Sequence, residues 1–256
     1  MGRTHVEFIQ TGDLPWSHPS GAWRPAGVRA RVLSADVVSG AETAEWLIPE
    51  EWEHPPGYLA ADVEVFVLEG ELQTGTFTLR EFSYAFIPSG VNPGPWVSGR
   101  GCRLLWMPTA HYPFTSATSH KTDASLHRYV AAIDTYAVPW TSTITPGFPP
   151  GAMRKTLRID PDTGASTWLL GVLPQWRETR REIHPVSEEG YQLLGEMLGN
   201  QGRFTPGCYF WRPPHVAHGP FETRTGTLTF FRTDGPLVTY YMDPGRGGRA
   251  GDGEGE

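Results

Sequence analysis

Two cysteines are all the thiol chemistry that this 256-residue chain has. Cys102 and Cys208 each sit inside an apolar run without C-x-x-C spacing, which argues against a disulfide framework, a thiolate zinc site or a redox pair; both are expected to be buried small hydrophobes. Long apolar runs are also missing. No stretch approaches the roughly 20 residues that a membrane span needs. The opening MGRTHVEFIQ has no apolar signal region, and Val6 breaks the myristoylation pattern. A cytoplasmic protein with no membrane partner is expected. Positive charge is in deficit, 21 Lys+Arg against 28 Asp+Glu for a net charge of −7, and no basic block interrupts that balance, so nucleic acid is disfavoured as a partner. There is no phosphate-binding glycine loop and no dinucleotide fingerprint; the late GRGGRAG follows no strand-to-helix turn. Helical periodicity is weak throughout, its best segment being residues 125–133, where Leu126, Tyr129, Val130 and Ile133 share one face.

What the chain does have is aromatic residues and turns. Ten Trp and twelve Phe argue for a real core, and 30 Gly with 24 Pro stay below the level of a disordered chain. Short runs such as EVFVLEGEL, YAFIPSG and CYFWRPP, punctuated by Gly or Pro, are the pattern of antiparallel sandwiches or barrels. The pattern also repeats. At an offset of 124, Val6, Ile9, Thr11, Pro15 and Trp16 recur as Val130, Ile133, Thr135, Pro139 and Trp140. At an offset of 125, Glu64, Leu68, Gly70, Tyr84 and Pro88 recur as Glu189, Leu193, Gly195, Tyr209 and Pro213. Such a match identifies a tandem duplication. The expected organisation is an N-terminal barrel over 1–120, a C-terminal barrel over 121–243 and a Gly-rich, alternately charged tail over 244–256 that buries too little to order itself.

Chemistry concentrates in the second copy. Glu182, His184, Glu188 and Gly195 lie in REIHPVSEEGYQLLGE, and Gly207, Pro213, His215 and His218 in GCYFWRPPHVAH. The two segments resemble the paired motifs of the cupin superfamily, with Glu182 where the first motif usually has a histidine and His215 in a glycine slot. The wording RPPHVAHGPF is most similar to the cupin half of ChrR-type anti-sigma factors and to bicupins. The resemblance implies an all-β architecture of two double-stranded β-helix barrels and a metal held by His184, Glu188, His218 and Glu182. Strand parity agrees: residues 182 and 184 face one side and Glu188 joins them after a turn, while Glu189 points away and is expected at the surface. Two carboxylates and two imidazoles meeting in a barrel need a cation to offset the negative charge. A mixed nitrogen and oxygen set suits Fe(II), Mn, Zn, Ni or Co, and without Glu182 a two-histidine, one-carboxylate triad remains.

The first copy carries Gly57, Leu59, Val63 and Pro93 at the corresponding positions, none able to ligate through its side chain, and only His54 and Asp62 lie near them. It is expected to be a structural barrel that shapes the pocket or an oligomer interface. The expected function is a metal-dependent enzyme acting on a small organic molecule, foremost an Fe(II) dioxygenase. Tyr191, Tyr209, Trp211, Phe221 and Phe230 would form the pocket walls, with His215 near its mouth. The alternatives are a redox-neutral isomerase, epimerase, lyase or cyclase with Glu182 as base, a non-catalytic sensor, and, last, a storage bicupin.

Overall fold

The computed structural model describes residues 2–19, 23–142 and 147–242, so the tail expected over 244–256 lies outside the described residues. Residues rich in β-branched and aromatic side chains form short strands, and among the described residues the only helical elements are two 3-10 turns, Thr11–Asp13 and Leu126–Arg128. The face shared by Leu126, Tyr129, Val130 and Ile133 is therefore not a helix. One 3-10 turn is followed directly by the strand Val130–Asp134, whose partner strand supplies what the weak local periodicity did not. No described helix is long and apolar enough to cross a membrane.

Two seven-stranded antiparallel sheets dominate. One runs in the order Val130–Asp134, Ser83–Ile87, Val63–Thr74, Trp96–Pro108, Glu42–His54, Arg29–Ala35, with Thr78–Arg80 paired to Val63–Thr74. The other runs Val6–Gln10, Cys208–Arg212, Glu188–Gly195, Thr227–Thr233, Ser166–Val172, Ala152–Ile159, Thr141–Ser142. Small sheets close the far side of each barrel: Gly57–Leu59 with Phe114–Ser116 in the first, and Arg181–Ile183 with Tyr240–Met242 in the second. The result is a tandem pair of double-stranded β-helix barrels.

The two halves trade their first strands. Ile9 of copy one lies opposite Tyr209 of copy two, and Ile133 of copy two lies opposite Tyr84 of copy one. Each exchanged strand ends in the same way: Thr11 N–H donates to the Gly207 carbonyl at 2.9 Å, and Thr135 N–H to the Phe82 carbonyl at 3.3 Å. Neither sheet is thus assembled from one side of residue 120. The duplication unit is contiguous in sequence, but the sheets built from it are not.

The large sheets pack face to face over a core that draws Phe66, Tyr84, Phe86 and Leu105 from one copy and Leu169, Tyr191, Tyr209 and Phe230 from the other. A buried polar strip crosses it. Glu64 accepts from Tyr84 Oη (2.6 Å), Thr167 and Arg232 Nε (3.0 Å). Its counterpart Glu189 accepts from Tyr209 Oη (2.7 Å), Thr43 Oγ1 (2.7 Å) and Arg232 Nη1 (2.7 Å). Glu189 does point away from the face of its strand that carries Glu188, as parity requires, but it is 7% exposed, because the opposite face is covered by the other barrel. Its expected surface position is corrected accordingly. Burial opposes its ionisation, and Arg232 and Arg3 outweigh this and hold the carboxyl below its ordinary value.

Candidate metal centre and pocket

The interior of the second barrel gathers the acidic and imidazole side chains. Glu182 and His218 form an antiparallel bridge in which each backbone N–H donates to the other's carbonyl, at 2.9 and 3.0 Å, so the two motifs are laid side by side by main chain alone. His215 N–H donates to the His184 carbonyl at 2.8 Å and extends this pairing. Gly195 fixes the other end of the first motif: its φ is +72°, and a Cβ there would collide with the Gly226 carbonyl oxygen, so only glycine fits.

Donor atoms of Glu182, His184 and His218 lie within 4.8 Å of one another. Glu188 flanks both rings, its Oε1 3.7 Å from His184 Nε2 and its Oε2 3.6 Å from His218 Nε2, and Glu182 Oε1 is 3.5 Å from His218 Nε2. Both histidines are 5% exposed or less. His184 Nδ1 contacts the Val238 carbonyl and His218 Nδ1 the Val216 carbonyl, each at 3.0 Å. A carbonyl only accepts, so each Nδ1 carries the hydrogen and each Nε2 faces the carboxylates. Each Nε2 is thereby left as a nitrogen donor facing carboxylate oxygens. The donor set therefore fits a divalent metal, with backbone carbonyls in the outer positions that orient metal-bound imidazoles. Burial opposes ionisation of Glu188; positive charge at His184, His218 and Arg212 outweighs it and keeps the carboxyl below its ordinary value.

A cavity of about 110 Å³ opens on this cluster. Its lining includes Trp168, Trp176, Phe204, Phe210, Phe221 and Phe231, together with Arg154 and Arg212. Of the expected walls only Phe221 is present. Tyr191, Tyr209 and Phe230 belong to the core between the sheets, and Trp211 packs against that core. The reason is parity: Glu188 lies opposite Arg212 and Gly190 opposite Phe210, so 210 and 212 share the pocket face while 209 and 211 share the other. Gly190 makes room for this arrangement, since a Cβ there would strike the Phe210 ring. The signal that could have found Arg212 is a lone arginine inside the apolar run CYFWRPP, two positions after Phe210 and so on the same face of the strand. His215, expected at the mouth, is exposed in the turn with φ +66° and does not line the cavity.

The first barrel is filled where the second is hollow. Leu59 and Val63 are buried with Trp23, Trp46, Trp96 and Trp106 in one cluster, and a Cβ on Gly57 would collide with the Phe114 ring. His54 Nε2 accepts from Trp23 Nε1 at 3.1 Å, while Asp62 accepts from Ser89 N–H at 2.8 Å and Arg128 at 2.8 Å. The two are thus engaged separately, and among the described residues the single group placed for a metal is Glu182, His184 and His218. Both cysteines are buried and free, with burial pushing their thiols up to about 12.

Two stacked double-stranded β-helix barrels, one carrying imidazole and carboxylate donors from both motifs, define a bicupin. The sequence matches over residues 7–240 the family described as a domain of unknown function, DUF4437, and the chain belongs to that family. Among curated proteins none matches. A crystal structure of a "putative dioxygenase" from Nostoc punctiforme is similar at 29% identity and a TM-score of 0.87, covering 95% of this chain and 92% of that one. Lactobacillus farciminis oxalate decarboxylase shares the fold at 10% identity, TM-score 0.60, covering 94% and 90%. Salicylate 1,2-dioxygenase from Pseudaminobacter salicylatoxidans does so at 12% identity, TM-score 0.61, covering 83% and 80%.

Proposed function

We propose that this bicupin is a metal-dependent enzyme acting on a small organic molecule in its C-terminal barrel, and within that class an Fe(II) dioxygenase. The observation that carries the reading is the convergence of Glu182, His184 and His218 on one face of an aromatic cavity. A two-histidine, one-carboxylate set with open positions is the arrangement that suits non-haem iron. The likeness to the Nostoc protein supports oxygen chemistry over the other reactions that cupin barrels host. Fe(II) held there would supply electron exchange with dioxygen. The chain's own residues do the rest. His184 and His218 are oriented by the Val238 and Val216 carbonyls, Glu182 contributes the negative charge, and the Phe and Trp walls keep water from the reacting molecule.

Glu188 gives a redox-neutral reading some support. It stands beside both imidazoles yet outside the converging trio, so it is a carboxylate placed to take a proton from a bound molecule. That role falls to Glu188 rather than to Glu182, which lies in the trio. The ChrR-type wording supports a third reading, a sensor that binds without turnover. Protein purified without chelator is expected to hold one divalent ion per chain, and oxygen uptake with candidate organic acids is expected to require Fe(II). Metal bound without oxygen uptake under any substrate would remove the dioxygenase reading. A stoichiometry near two would remove the assignment of a single site.

A further inference from the structure

Arg212 is an arginine with most of its hydrogen-bonding capacity unspent. It is 3% exposed, and its guanidinium lies 3.8 Å from the centre of the Phe210 ring. Nη1 reaches Glu188 Oε2 at 3.3 Å, while Nε and Nη2, both buried, have no hydrogen-bond partner among the described residues. A buried guanidinium is tolerated when its N–H groups are matched, and two nitrogens without partners beside an open cavity mark a position for an acceptor. The same lining holds Arg154, partly buried over the Trp168 ring at 4.6 Å, its Nε also without a partner among the described residues.

Charge balance gives the acceptor its sign. The cavity is lined by two carboxylates, Glu182 and Glu188, and two guanidiniums, Arg154 and Arg212. These cancel, so a divalent ion on neutral imidazoles would leave its own double positive charge uncompensated in a lining that is otherwise largely apolar. An occupant that carries a negative charge offsets part of that excess, whereas a neutral one leaves all of it. The cavity, about 110 Å³, is of the order that holds a single ring.

We infer that Arg212 is a substrate-recognition residue and that the pocket takes a small, single-ring or comparably apolar carboxylic acid, its carboxylate seated on Nε and Nη2 of Arg212 and its body against Phe210 and the neighbouring aromatic rings. This deepens the reading of the barrel as a metal-dependent enzyme and rests on it for the metal's charge. Arg212 also offsets Glu188, but that task occupies one nitrogen and does not account for the other two. Phe210 and Arg212 come from one strand on one face, so the apolar and the charged parts of the ligand would be read by adjacent inward positions.

The test compares benzoate with benzyl alcohol, which has similar shape and no charge, by isothermal titration of the full-length protein loaded with Zn(II), a redox-silent ion. Benzoate is expected to bind at least tenfold more tightly. Arg212→Gln is expected to reduce benzoate affinity at least tenfold and leave benzyl alcohol unchanged, and Arg212→Lys, which keeps the charge offsetting Glu188 but loses the planar fork, is expected to lose most of the preference. Equal affinity of the two probes for the wild-type protein overturns the inference without any variant. So does a benzoate preference that survives both substitutions but disappears on chelation, since the anion would then sit on the metal. Metal content measured on the same samples separates the two claims: a wild-type protein that holds no metal sinks the enzyme reading, whereas full metal with no carboxylate preference sinks only the role of Arg212.

Discussion

At the scale of single residues, the second barrel distinguishes side chains that hold a cation from side chains that hold the fold. His184 and His218 meet the first description. Replacing either with Ala removes a nitrogen donor, and metal content by elemental analysis is expected to fall from near one per chain to near zero while the melting temperature of the metal-free protein changes little. Glu189 meets the second. Expected at the surface from its sequence position, it lies instead between Arg232, Thr43 and Tyr209. Glu189→Ala leaves Arg232 with one of its two carboxylates and strands two buried hydroxyls. Breaking a buried, hydrogen-bonded ion pair costs about 3 kcal/mol or more, so urea denaturation is expected to show a marked loss of stability with metal binding retained. Metal lost with stability unchanged would mean that the strand register places Glu189, not Glu188, toward the cluster.

At the scale of elements, parity and turns decide which face a residue serves. The turn after Ala152–Ile159 shows how a turn can lock two barrels. Asp160 accepts Asp162 and Thr163 N–H at 3.1 Å each, pairs with Arg158, and accepts from Arg128 at 3.0 Å. Arg128 also donates to Asp62 of the first copy at 2.8 Å. Burial opposes ionisation of Asp160, yet these donors prevail and hold its carboxyl well below the ordinary value of 3.8. A carboxyl depressed in the folded state stabilises fully above its unfolded value and ceases to do so as pH falls through the folded one. Asp160 therefore contributes at neutral pH and loses that contribution below about pH 4. Asp160→Asn is expected to lower stability at pH 7 and to flatten the acid limb of the melting temperature against pH. An unchanged acid limb would show that other carboxylates govern it.

At the scale of the whole molecule, the chain is a duplicated barrel whose symmetry is broken at its centre. Arg232 bridges Glu64 and Glu189, equivalent carboxylates of the two copies, whereas the residue corresponding to Arg232 in copy one is Met107. Arg232→Met would leave Glu64 without a guanidinium, and thermal unfolding is expected to show a loss of about 3–5 kcal/mol, the range for removing one partner of a buried pair. The exchanged first strands carry a related consequence. A chain ending at residue 120 lacks Val130–Asp134, so the Ser83–Ile87 edge stands uncovered and Val6–Gln10 has no partner. Such a fragment is expected to aggregate or to give a poorly dispersed amide spectrum, while the full chain unfolds in one transition. A well-folded fragment of 1–120 would show that the exchange is dispensable.

Much of this is legible in the amino-acid sequence. The duplication and the β architecture follow from repeat spacing and short apolar runs, and strand parity puts Glu182 and His184 on one side, whereas the approach of His218 to Glu182, His184 and Glu188 is what the resemblance to the paired cupin motifs implies. The empty register of copy one was legible too, since Gly57, Leu59, Val63 and Pro93 have no donor side chains to offer. What the sequence could not decide was what covers each face. Tyr191, Tyr209 and Phe230 read as pocket walls as readily as Phe210 and Phe231 do, because an aromatic side chain is satisfied by either apolar surface. Glu189 looked exposed because only a second sheet, more than a hundred residues away in the chain, buries it against Arg232. The first-strand exchange and the unmatched nitrogens of Arg212 belong to the same class. They depend on which distant strand lies alongside, and local preference carries no record of that pairing; only burial of the two sheets against each other settles it.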